Sequence, residues 1–567
     1  MSSDQRTSSS SLRQISSLTA FIGRSKAFLN EDQILVGEEA RTYEANVSGF
    51  IGFVPAVIKP QSIEQVQSVL RLANELSVQV FPISRGKNWG LGSKLPNAEG
   101  VVVLDLSKMN RITKFDHDLG TITVEPGVTQ IQVANFLIEK KSRFFVDVTG
   151  SGRETSLIGN LMERGVAYNS LRVESVGSMV VVLASGEILH TGFDHYENAK
   201  AAHVFKYGIG PALDGLFFQS GFGVVVGATF HLIPIPEDRE SFTLSVSREV
   251  DVPMVMESLR GLLEQNVIRC ITHVFNRERF TPAVAPHLQK EAMRLGLPSD
   301  RDFVLQLLKD EIKGSWWAVG SVYGTPSMVR EALKRVKQDL SKYGPILSLN
   351  SSKESKILWV LKVLSRWTPF HWAKKKLAIF KATESLRALT RGRPTDSALA
   401  SVLWPVDADL EQYDLAEPDF SPGGMLFSAP IIPLAGEDAR SILEIISRVG
   451  KDFGFEPAVT FNTASAKFIE VVMSLDFPKD DPFWSQRAYS CIRAMNQAFV
   501  ESGYIPYRLD IKNFDLVMGV DDYFWRFVAD LKKLVDPNLI LSPGRFDGIA
   551  APHDDPSQMA PPASRVS

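Results

Sequence analysis

The segment Phe81 to Lys94, FPISRGKNWGLGSK, constrains the fold more than any other part of the chain. It follows an apolar run, Val78 to Phe81, that is typical of a buried strand. Gly86, Gly90 and Gly92 allow positive φ angles and a close approach of the backbone to a ligand. Successive backbone N–H groups in such a turn can form a concave nest for an anion. The loop therefore predicts either a nest suited to a pyrophosphate or a plain surface turn between two strands.

Two positive charges in this loop favour the anion-binding interpretation. Arg85 and Lys87 stand next to the first glycine, where they would attract a phosphate group. The spacing matches neither the P-loop GxxxxGK[ST] nor the dinucleotide pattern GxGxxG, so those two mechanisms are not supported. The chain also lacks CxxC, HExxH and GxSxG motifs. We therefore expect no metal site, and neither a zinc enzyme nor a serine hydrolase is supported.

Length and composition describe a globular protein of more than one domain. The chain has 567 residues, 44% hydrophobic and 22% charged, and its net charge of −3 gives no support to nucleic-acid binding. Cys270 and Cys491 lie far apart in apolar stretches, so we expect two core thiols. No run of about 18 uncharged apolar residues is present, and the Ser-rich start lacks the pattern of a secretory signal. These features predict a cytoplasmic protein with disordered ends at 1–12 and 550–567.

Hydrophobic periodicity predicts an α+β protein. A short strand at Ala56–Pro60 and a helix at Ser62–Leu76, with Ser62 as its N-cap, form an α/β unit with the glycine-rich loop. Residues 101–126 alternate as strands, and 178–191 predict a hairpin that turns at Ser185-Gly186. Beyond 241 the predicted strands are 242–246, 315–323, 426–433 and 468–475, and the predicted helices are 252–265, 328–342, 437–450, 483–502 and 522–534.

A series of motifs occurs in the order found in one family of flavoproteins. The loop pattern PxSxGxNxGxGS is followed by VVLDLSKMNRI (102–112) and TVEPGVT (123–129). The chain resembles the vanillyl-alcohol oxidase / p-cresol methylhydroxylase family of FAD-dependent oxidoreductases over most of 50–240 and 500–549, and more weakly between them. The longer motifs are SLIGNLMERGVAYN (156–169), VVLASGEILHTG (181–192), YGIGPALDGLFFQSGFGVVVGATFHLIPIP (207–236), PYRLD (506–510) and DPNLILSPGRFDGI (536–549).

The resemblance implies a fold and a cofactor. The fold is a two-subdomain FAD-binding domain of the p-cresol methylhydroxylase (PCMH) type, with an α+β cap domain built on an antiparallel sheet. The implied division is a disordered or helical segment at 1–30, the FAD domain at 31–240, the cap at 241–500, a return to the FAD domain at 501–549 and a tail at 550–567. The residues expected to bind FAD are Ser84, Arg85, Gly86, Lys87, Asn88, Trp89, Gly92, Ser93, Gly127, Ser151, Gly159, Asn160, Gly165, Gly223, Val224, Val225 and Arg545.

The resemblance also implies the reaction. Family members move a hydride, typically from a benzylic carbon, to flavin N5, and the protein orients and polarises the substrate. A Tyr–Arg pair that binds the phenolate in phenol-oxidising members matches Tyr507 and Arg508. A fixed guanidinium in a dry site stabilises a developing or full anion. We therefore expect these two residues to be catalytic, with a structural ion pair as the alternative role for Arg508.

The sequence departs from the family at two substrate-facing positions. Leu91 stands where phenol-oxidising members carry a second phenolate-binding tyrosine. The acidic residue that several members place before the flavin aligns near Ser151, and Glu154 is a substitute if the loop shifts. These changes weaken the expectation of a simple 4-alkylphenol. Arg508 could instead pair with a carboxylate, an enolate or another acidic group.

The covalent flavin link of many family members has no evident residue in this chain. Members attach the ring to a His or Tyr in a cap strand that corresponds to about 461–479. The segment FNTASAKFIEVVMSLDFPK contains no His, Tyr or Cys, and the glycine-rich loop carries Asn88 and Trp89 where another branch has its linking His. We expect non-covalent FAD, unless another cap residue such as His371 has taken over.

An insert at 353–393 has no counterpart in shorter members of the family. It holds eleven Lys and Arg against Glu354 and Glu384, and five aromatic residues, three of them Trp, are interleaved with them. This composition is typical of an interfacial amphipathic helix. The alternative is a solvated helix pair that packs on the cap.

The function expected from these features is an FAD-dependent oxidase or dehydrogenase that oxidises a C–H or alcohol of a small aromatic or lipophilic molecule. Oxygen, a quinone or a carrier protein remain open as the electron acceptor, and a homo-oligomer remains open. Two alternatives stay open. One is a membrane-associated flavin dehydrogenase that docks through 353–393 and feeds a quinone. The other is a flavin-fold protein that has lost its redox chemistry.

Overall fold

A small sheet in the first subdomain presents the glycine-rich loop. The computed structural model describes residues 15–367, 371–519 and 522–549, so the predicted disordered ends and Phe370 lie outside the described residues. The elements of this subdomain are α1 (15–25), β1 (Ile34–Val36), α2 (Glu38–Arg41), β2 (Ala56–Ile58), α3 (Ile63–Leu76), β3 (Val80–Ile83) and β4 (Val102–Asp105). The strand order is β1-β2-β4-β3, and β2, β4 and β3 run parallel. The loop leaves β3 at its carboxyl end.

Helix α3 covers one face of this sheet, and its local sequence determines both ends. Ser62 caps it as predicted, since its Oγ accepts the N–H of Gln65 at 3.3 Å. The helix ends at Ser77, which adopts φ 52. Val66, Val69, Leu70 and Ala73, spaced at helical intervals, are among its buried residues. This apolar stripe holds β3, and with it the start of the loop, against the core.

The second subdomain is built on a five-stranded antiparallel sheet. Its elements are β5 (Ile112–Asp116), β6 (Thr121–Val124), α4 (Gln130–Glu139), β7 (Phe144–Phe145), α5 (Leu157–Met162), β8 (Val176–Val182), β9 (Ile188–His190), α6 (Asp214–Phe217), β10 (Val224–His231) and β11 (Ile233–Pro234). The order is β5-β6-β10-β8-β9, so the predicted hairpin at 178–191 lies at one edge. β10 is buried over most of its length at the centre of the sheet.

The cap is an eight-stranded antiparallel sheet covered by helices. Its strands are β12 (Asp238–Val246), β13 (His273–Asn276), β14 (Trp316–Gly324), β15 (Ile346–Leu349), β16 (Gly423–Pro433), β17 (Ala458–Asn462), β18 (Phe468–Pro478) and β19 (Pro506–Arg508). The helices from there on are α7 (Val252–Glu264), α8 (Arg277–Arg294), α9 (Arg301–Glu311), α10 (Pro326–Leu340), α11 (Ser351–Leu364), α12 (His371–Ala382), α13 (Glu384–Leu389), α14 (Gly436–Phe453), α15 (Pro482–Glu501) and α16 (Tyr523–Val535). The order is β15-β12-β14-β13-β17-β18-β16-β19, and every pairing is antiparallel. The predicted α+β class is confirmed.

The chain leaves the cap later than the predicted boundary at 501. Residues Pro506–Arg508 form β19 and pair with β16, so this short strand closes the edge of the cap sheet. The chain then returns through α16 to the first sheet, where the N–H of Val80 donates to the carbonyl of Ile540 at 2.7 Å. The buried ammonium of Lys532 fixes this return by donating to Asp536 at 2.7 Å and to the carbonyl of Gly221 at 2.6 Å.

The insert at 353–393 has an outer and an inner part. Helix α12 is the inner part, since Leu377, Ala378 and Ala382 are buried and α12 packs between α8 and α11. Helix α11 is the outer part, and Trp359 on it is 67% exposed. No helix within the described ranges is long and apolar enough to cross a membrane.

Candidate functional site

A cavity of about 410 Å³ lies between the glycine-rich loop, α5, the start of β10 and the cap sheet. Such a volume is in the range of ligand-binding cavities. Most residues expected to bind FAD line it, which brings together segments that are far apart in sequence. These lining residues are Ser84, Arg85, Gly86, Lys87, Asn88, Trp89, Ser93, Ser151, Gly159, Asn160, Gly223, Val224, Val225 and Arg545.

Three of the predicted glycines are not among the lining residues. A side chain at Gly127 would place its Cβ 2.2 Å from the carbonyl oxygen of Ser107, and one at Gly165 would place it 2.0 Å from Nδ2 of Asn160. Gly92 donates its N–H to Oγ of Ser48 at 3.1 Å and packs against Ile511. In this structure these glycines permit close packing behind the cavity wall.

The backbone of the glycine-rich loop has the donors that a diphosphate requires. Within the described residues, the N–H groups from Arg85 to Trp89 have no protein acceptor. Gly86 adopts φ +64, and a Cβ there would lie 2.3 Å from Cγ of Lys94. Nε of Arg85 is buried, and no described residue accepts its hydrogen bond. A buried donor without an acceptor is costly, so this run of free donors beside a cavity fits a bound anion.

The two positive side chains of the loop are already paired within the protein. The ammonium of Lys87 pairs with the carboxylate of Glu417 and donates to the carbonyl of Ala416 at 2.7 Å. It also lies 5.0 Å from the ring centroid of Trp89. Burial lowers the pKa of Lys87. Arg85 donates to Glu154 at 2.7 Å. Attraction for an anion therefore comes from the backbone more than from these two charges.

The acidic residue sought near Ser151 is not found on this wall. Ser151 lines the cavity and its Oγ lies 2.5 Å from Oγ1 of Thr149 and 2.9 Å from Oγ1 of Thr155. Glu154, the suggested substitute, pairs with Arg85 and is not among the lining residues. This part of the wall is a cluster of neutral hydroxyl groups.

The opposite wall, on the cap sheet, carries a chain of hydrogen bonds. Tyr507 donates its hydroxyl hydrogen to Glu470, and Nδ2 of Asn462 donates to the other carboxylate oxygen at 2.8 Å. Nδ1 of His273 lies 2.7 Å from Oδ1 of Asn462 and must donate to it. The His273 ring packs against Tyr168 in a tilted arrangement, with 4.7 Å between the ring centroids. Adjacent strands β13, β17 and β18 supply His273, Asn462 and Glu470 in cross-strand register.

Burial controls the protonation of this chain. Burial raises the pKa of Glu470, while the hydrogen bonds from Tyr507 and Asn462 oppose the shift. Burial and the neighbouring Glu470 carboxylate raise the pKa of Tyr507 far above its ordinary value. Burial lowers the pKa of His273, so its imidazole is neutral. Glu470 is therefore the group on this wall best suited to accept a proton.

Arg508 and Tyr507 do not occupy equivalent positions. Arg508 lines the cavity, and its Nη2 donates to Oδ1 of Asn88 at 2.7 Å, which links the cap sheet to the glycine-rich loop. Its Nε is buried without an acceptor in the described part of the chain. Tyr507 is not among the lining residues and reaches the cavity through Glu470.

The sequence did not single out four cap residues that line the cavity. They come from α8, β13, β17 and β18, elements separated by as many as two hundred positions. One signal was present for Glu470, because it interrupts the apolar strand FIEVVMSL. The others lie in segments that resemble the family weakly. The four residues are His273, Arg279, Asn462 and Glu470.

Strands β17 and β18 line the cavity with Thr460, Asn462, Glu470 and Val472. None of these four residues is a His, Tyr or Cys. His371, suggested as an alternative flavin attachment, is not among the lining residues. His273 does line the cavity, and no described residue forms a hydrogen bond with its buried Nε2. His273 thus becomes the cap residue to test for a covalent link.

Comparisons with known proteins agree with this geometry. A family model described as an FAD binding domain matches residues 54–192. The 1'-carboxy-chondrochloren decarboxylase of Chondromyces crocatus is 30% identical over 503 residues, which span 87% of this chain and 90% of that protein. The 4-cresol dehydrogenase [hydroxylating] flavoprotein subunit of Pseudomonas putida is 27% identical over 86% of this chain and 87% of its own length.

Two solved structures share the fold. A 4-ethylphenol oxidase from Gulosibacter chungangensis superposes with a TM-score of 0.79 at 23% identity, covering 94% of this chain and 97% of that one. A p-cresol methylhydroxylase with substrate bound superposes with a TM-score of 0.77 at 24% identity, with the same coverage. Both matches extend over the two subdomains and the cap.

Proposed function

Because this chain belongs to the vanillyl-alcohol oxidase / p-cresol methylhydroxylase family of FAD-dependent oxidoreductases, we propose that it oxidises a small aromatic molecule whose acidic end binds Arg508. The observation that carries this proposal is the guanidinium of Arg508 on the cavity wall. Its Nε has no acceptor within the described residues, and Asn88 joins it to the loop that would hold the diphosphate. Hydrogen-bond capacity and positive charge are thus directed at one place in the cavity.

Bound FAD supplies the hydride acceptor for this oxidation. The N–H groups of Arg85 to Trp89 would hold its diphosphate, and the segments around Gly159 and Val224 would line its other side. Arg508 stabilises the phenolate or other anion from which the hydride leaves. The residues of the protein thus hold the substrate in position and stabilise its negative charge.

Glu470 is the proposed proton acceptor for the acidic end of the substrate. Its raised pKa brings a carboxylate closer to neutral pH, where a general base is most effective. Tyr507 and Asn462 hold the two carboxylate oxygens in place. Tyr507 therefore acts as a positioning residue for Glu470.

The substrate wall departs from a simple phenol site at Leu91. This side chain lines the cavity and is apolar, so the phenolate would receive its bonds from Arg508 without a second tyrosine. The relatives named above act, by their names, on a cresol and on a carboxylated compound. We extend this range to the present chain as small aromatic molecules with one or more acidic groups.

Replacement of Arg508 tests the proposal. We expect Arg508→Ala to lower the anaerobic rate of flavin reduction by 4-ethylphenol roughly 100- to 1000-fold, as loss of a single oxyanion donor does. FAD content, measured by absorbance, should change little. Arg493→Ala is a matched control, since Arg493 pairs with Asp515 at 2.7 Å near the surface. Reduction of the Arg508 variant at the wild-type rate would remove this residue from the mechanism.

We also propose that α11 docks on an anionic membrane surface. Its outer face exposes Ile357, Trp359, Val360 and Val363, with Lys356 and Lys362 among them. Five of the eleven basic residues of the insert bind carboxylates, at Glu240, Glu311, Glu291 and Glu354. Of the other six, Lys356, Lys362 and Arg366 stand on α11 or directly after it, and this group of charges favours anionic lipid.

Location and assembly are part of the same proposal. Cys270 and Cys491 are buried free thiols, as expected of a protein from a reducing cytoplasm. A homo-oligomer remains a proposal that size-exclusion chromatography with light scattering would test.

A further inference from the structure

A second guanidinium, that of Arg279, lines the same cavity. Arg279 is the third residue of α8, a helix that begins at the edge of the cap sheet where Asn276 caps it. The side chain extends across β17 and β18, and its Nη2 lies 3.3 Å from the carbonyl oxygen of Ala458 and 3.4 Å from that of Val472. Neither of these two long contacts neutralises its charge.

The hydrogen-bonding capacity of Arg279 is largely unused. A guanidinium has five N–H donors, and the described residues accept only the two bonds from Nη2. Nε is buried without an acceptor in this part of the chain, and no described carboxylate lies within 4.0 Å of the guanidinium. A buried charge with free donors is unfavourable unless a ligand completes it.

Asp476, the carboxyl group whose charge acts on Arg279, is a weak counter-ion. Burial raises the pKa of Asp476 to about 6, while Arg279 opposes that shift. Asp476 also leaves its Oδ1 without a partner among the described residues. Asp476 therefore neither neutralises the charge of Arg279 nor accepts its free N–H donors.

Arg279 and Arg508 act on different parts of the cavity. Arg508 stands on β19 beside Ala429 of β16, in the group that includes Tyr507 and Glu470. Arg279 reaches Val472, which lies two residues beyond Glu470 on β18, or about 7 Å along a strand. A ring between the two guanidinium groups could present one acidic group to each. The ring of Phe427, 5.8 Å from the Arg279 guanidinium, gives this end an aromatic wall.

We propose that Arg279 binds a carboxylate carried by the substrate at the end opposite its phenol or other Arg508-bound group. The inference rests on the proposed function, because it assigns both guanidinium groups to one substrate. It makes the substrate class an aromatic acid with a second acidic group, rather than a neutral alkylphenol. A bidentate guanidinium–carboxylate pair would satisfy the free donors of Arg279.

Two probes that differ only by a carboxylate test this assignment. p-Cresol and 4-hydroxyphenylacetate are titrated by anaerobic calorimetry into holoenzyme whose flavin has first been reduced with dithionite, so that no hydride can be transferred and binding alone is measured. We expect 4-hydroxyphenylacetate to bind wild-type protein about tenfold or more tightly than p-cresol, because charge-assisted bonds exceed neutral ones. Arg279→Gln should abolish this preference and leave the affinity for p-cresol unchanged. Arg279→Lys, which keeps the charge, should restore part of it.

Arg277→Gln is the matched control, two residues earlier on the same helix. Arg277 donates to the carbonyl of Ile312 at 3.1 Å, stacks on Trp317, and is not among the lining residues. A carboxylate preference that survives in Arg279→Gln, or equal affinity of wild-type protein for both probes, would overturn the inference. Failure of the proposed function looks different, because neither probe would then bleach the flavin when mixed anaerobically with oxidised holoenzyme, whatever the binding affinities.

Discussion

At the scale of single residues, Gly86 decides whether the loop can hold an anion. Its φ of +64 is costly for a side chain, and a Cβ would lie 2.3 Å from Lys94. We expect Gly86→Val to lose most bound FAD, measured by absorbance after gel filtration. Gly100→Val is the matched control, since Gly100 has a similar φ of +73 but no atom within 4 Å of its Cβ position. Equal FAD loss in both variants would indicate general backbone strain, not a binding nest.

Asp419 couples the support of the loop to pH. It is buried behind the loop, where it accepts hydrogen bonds from Ser93 at 2.7 Å and from the N–H of Val47 at 2.8 Å. Burial raises its pKa to about 6. Because the folded-state pKa is raised from 3.8, the carboxyl stabilises the fold below the unfolded pKa, and this contribution is lost as the pH rises through about 6.

Asp419→Asn isolates that titration. We expect the melting temperature of the variant to rise relative to that of the wild type between pH 4 and pH 7.5. The matching gain in the free energy of unfolding is at most about 3 kcal/mol, because the pKa of Asp419 differs by roughly two units between the folded and unfolded states. Asp530→Asn, at an exposed carboxyl on α16, should show no such trend. A pH-independent difference for Asp419→Asn would contradict this account.

Predicted site residues lie together at the cavity most consistently where a motif is local. The loop 84–89 and the segment around Asn160 line the cavity because each is one short stretch of backbone. The pairing of Lys87 with Glu417 could not be predicted, because more than three hundred residues separate them. Arg279 and His273 were missed for the same reason, since only the register of the cap sheet brings them to the cavity.

At the scale of elements, α11 carries the membrane proposal. Point changes on α11 test it better than deletion of the insert would, because Ala378 and Ala382 of α12 are buried against α8 and α9. We expect the double change Trp359→Ser and Trp367→Ser to abolish co-sedimentation with phosphatidylglycerol vesicles at low salt. Two Trp side chains at the headgroups and about 1 kcal/mol per nearby basic residue would provide the binding.

The matched control changes the exposed aromatics Tyr523 and Phe524 on α16, which lie outside the insert. Vesicle binding should persist in that variant and should weaken with salt in the wild type. Wild-type protein that stays in the supernatant at low salt, with unshifted tryptophan emission, would show that the insert is a solvated helix pair.

Elements with clear periodicity were predicted well. The N-cap at Ser62 and the strand predicted at 468–475, observed at Phe468–Pro478, follow from local signals. The three-residue strand β19 was not predicted. A run as short as PYR has no periodicity, and its partner β16 is distant in sequence.

For the whole molecule, we expect FAD to be bound without a covalent link. The cavity-lining residues of β17 and β18 include no nucleophile of the usual kind. Acid precipitation should leave yellow FAD in the supernatant. If flavin instead stays on the denatured chain, the expectation is wrong, and His273→Ala would then show whether His273 carries it.

The overall architecture followed from the resemblance more than from periodicity. Patterns of strands and helices predicted the α+β class, but the order of eight strands in the cap depends on contacts between distant segments. The basic insert was visible in the sequence, whereas its division into a buried α12 and an exposed α11 needed the packing.

The bond between Val80 and Ile540 has a consequence for synthesis on the ribosome. The strand that presents the anion nest precedes the entire cap in the chain, whereas its neighbour at 540–542 follows the cap. A nascent chain therefore carries a cofactor site with one side still missing until 540–542 has left the exit tunnel, and we expect stable loading with FAD only after that point.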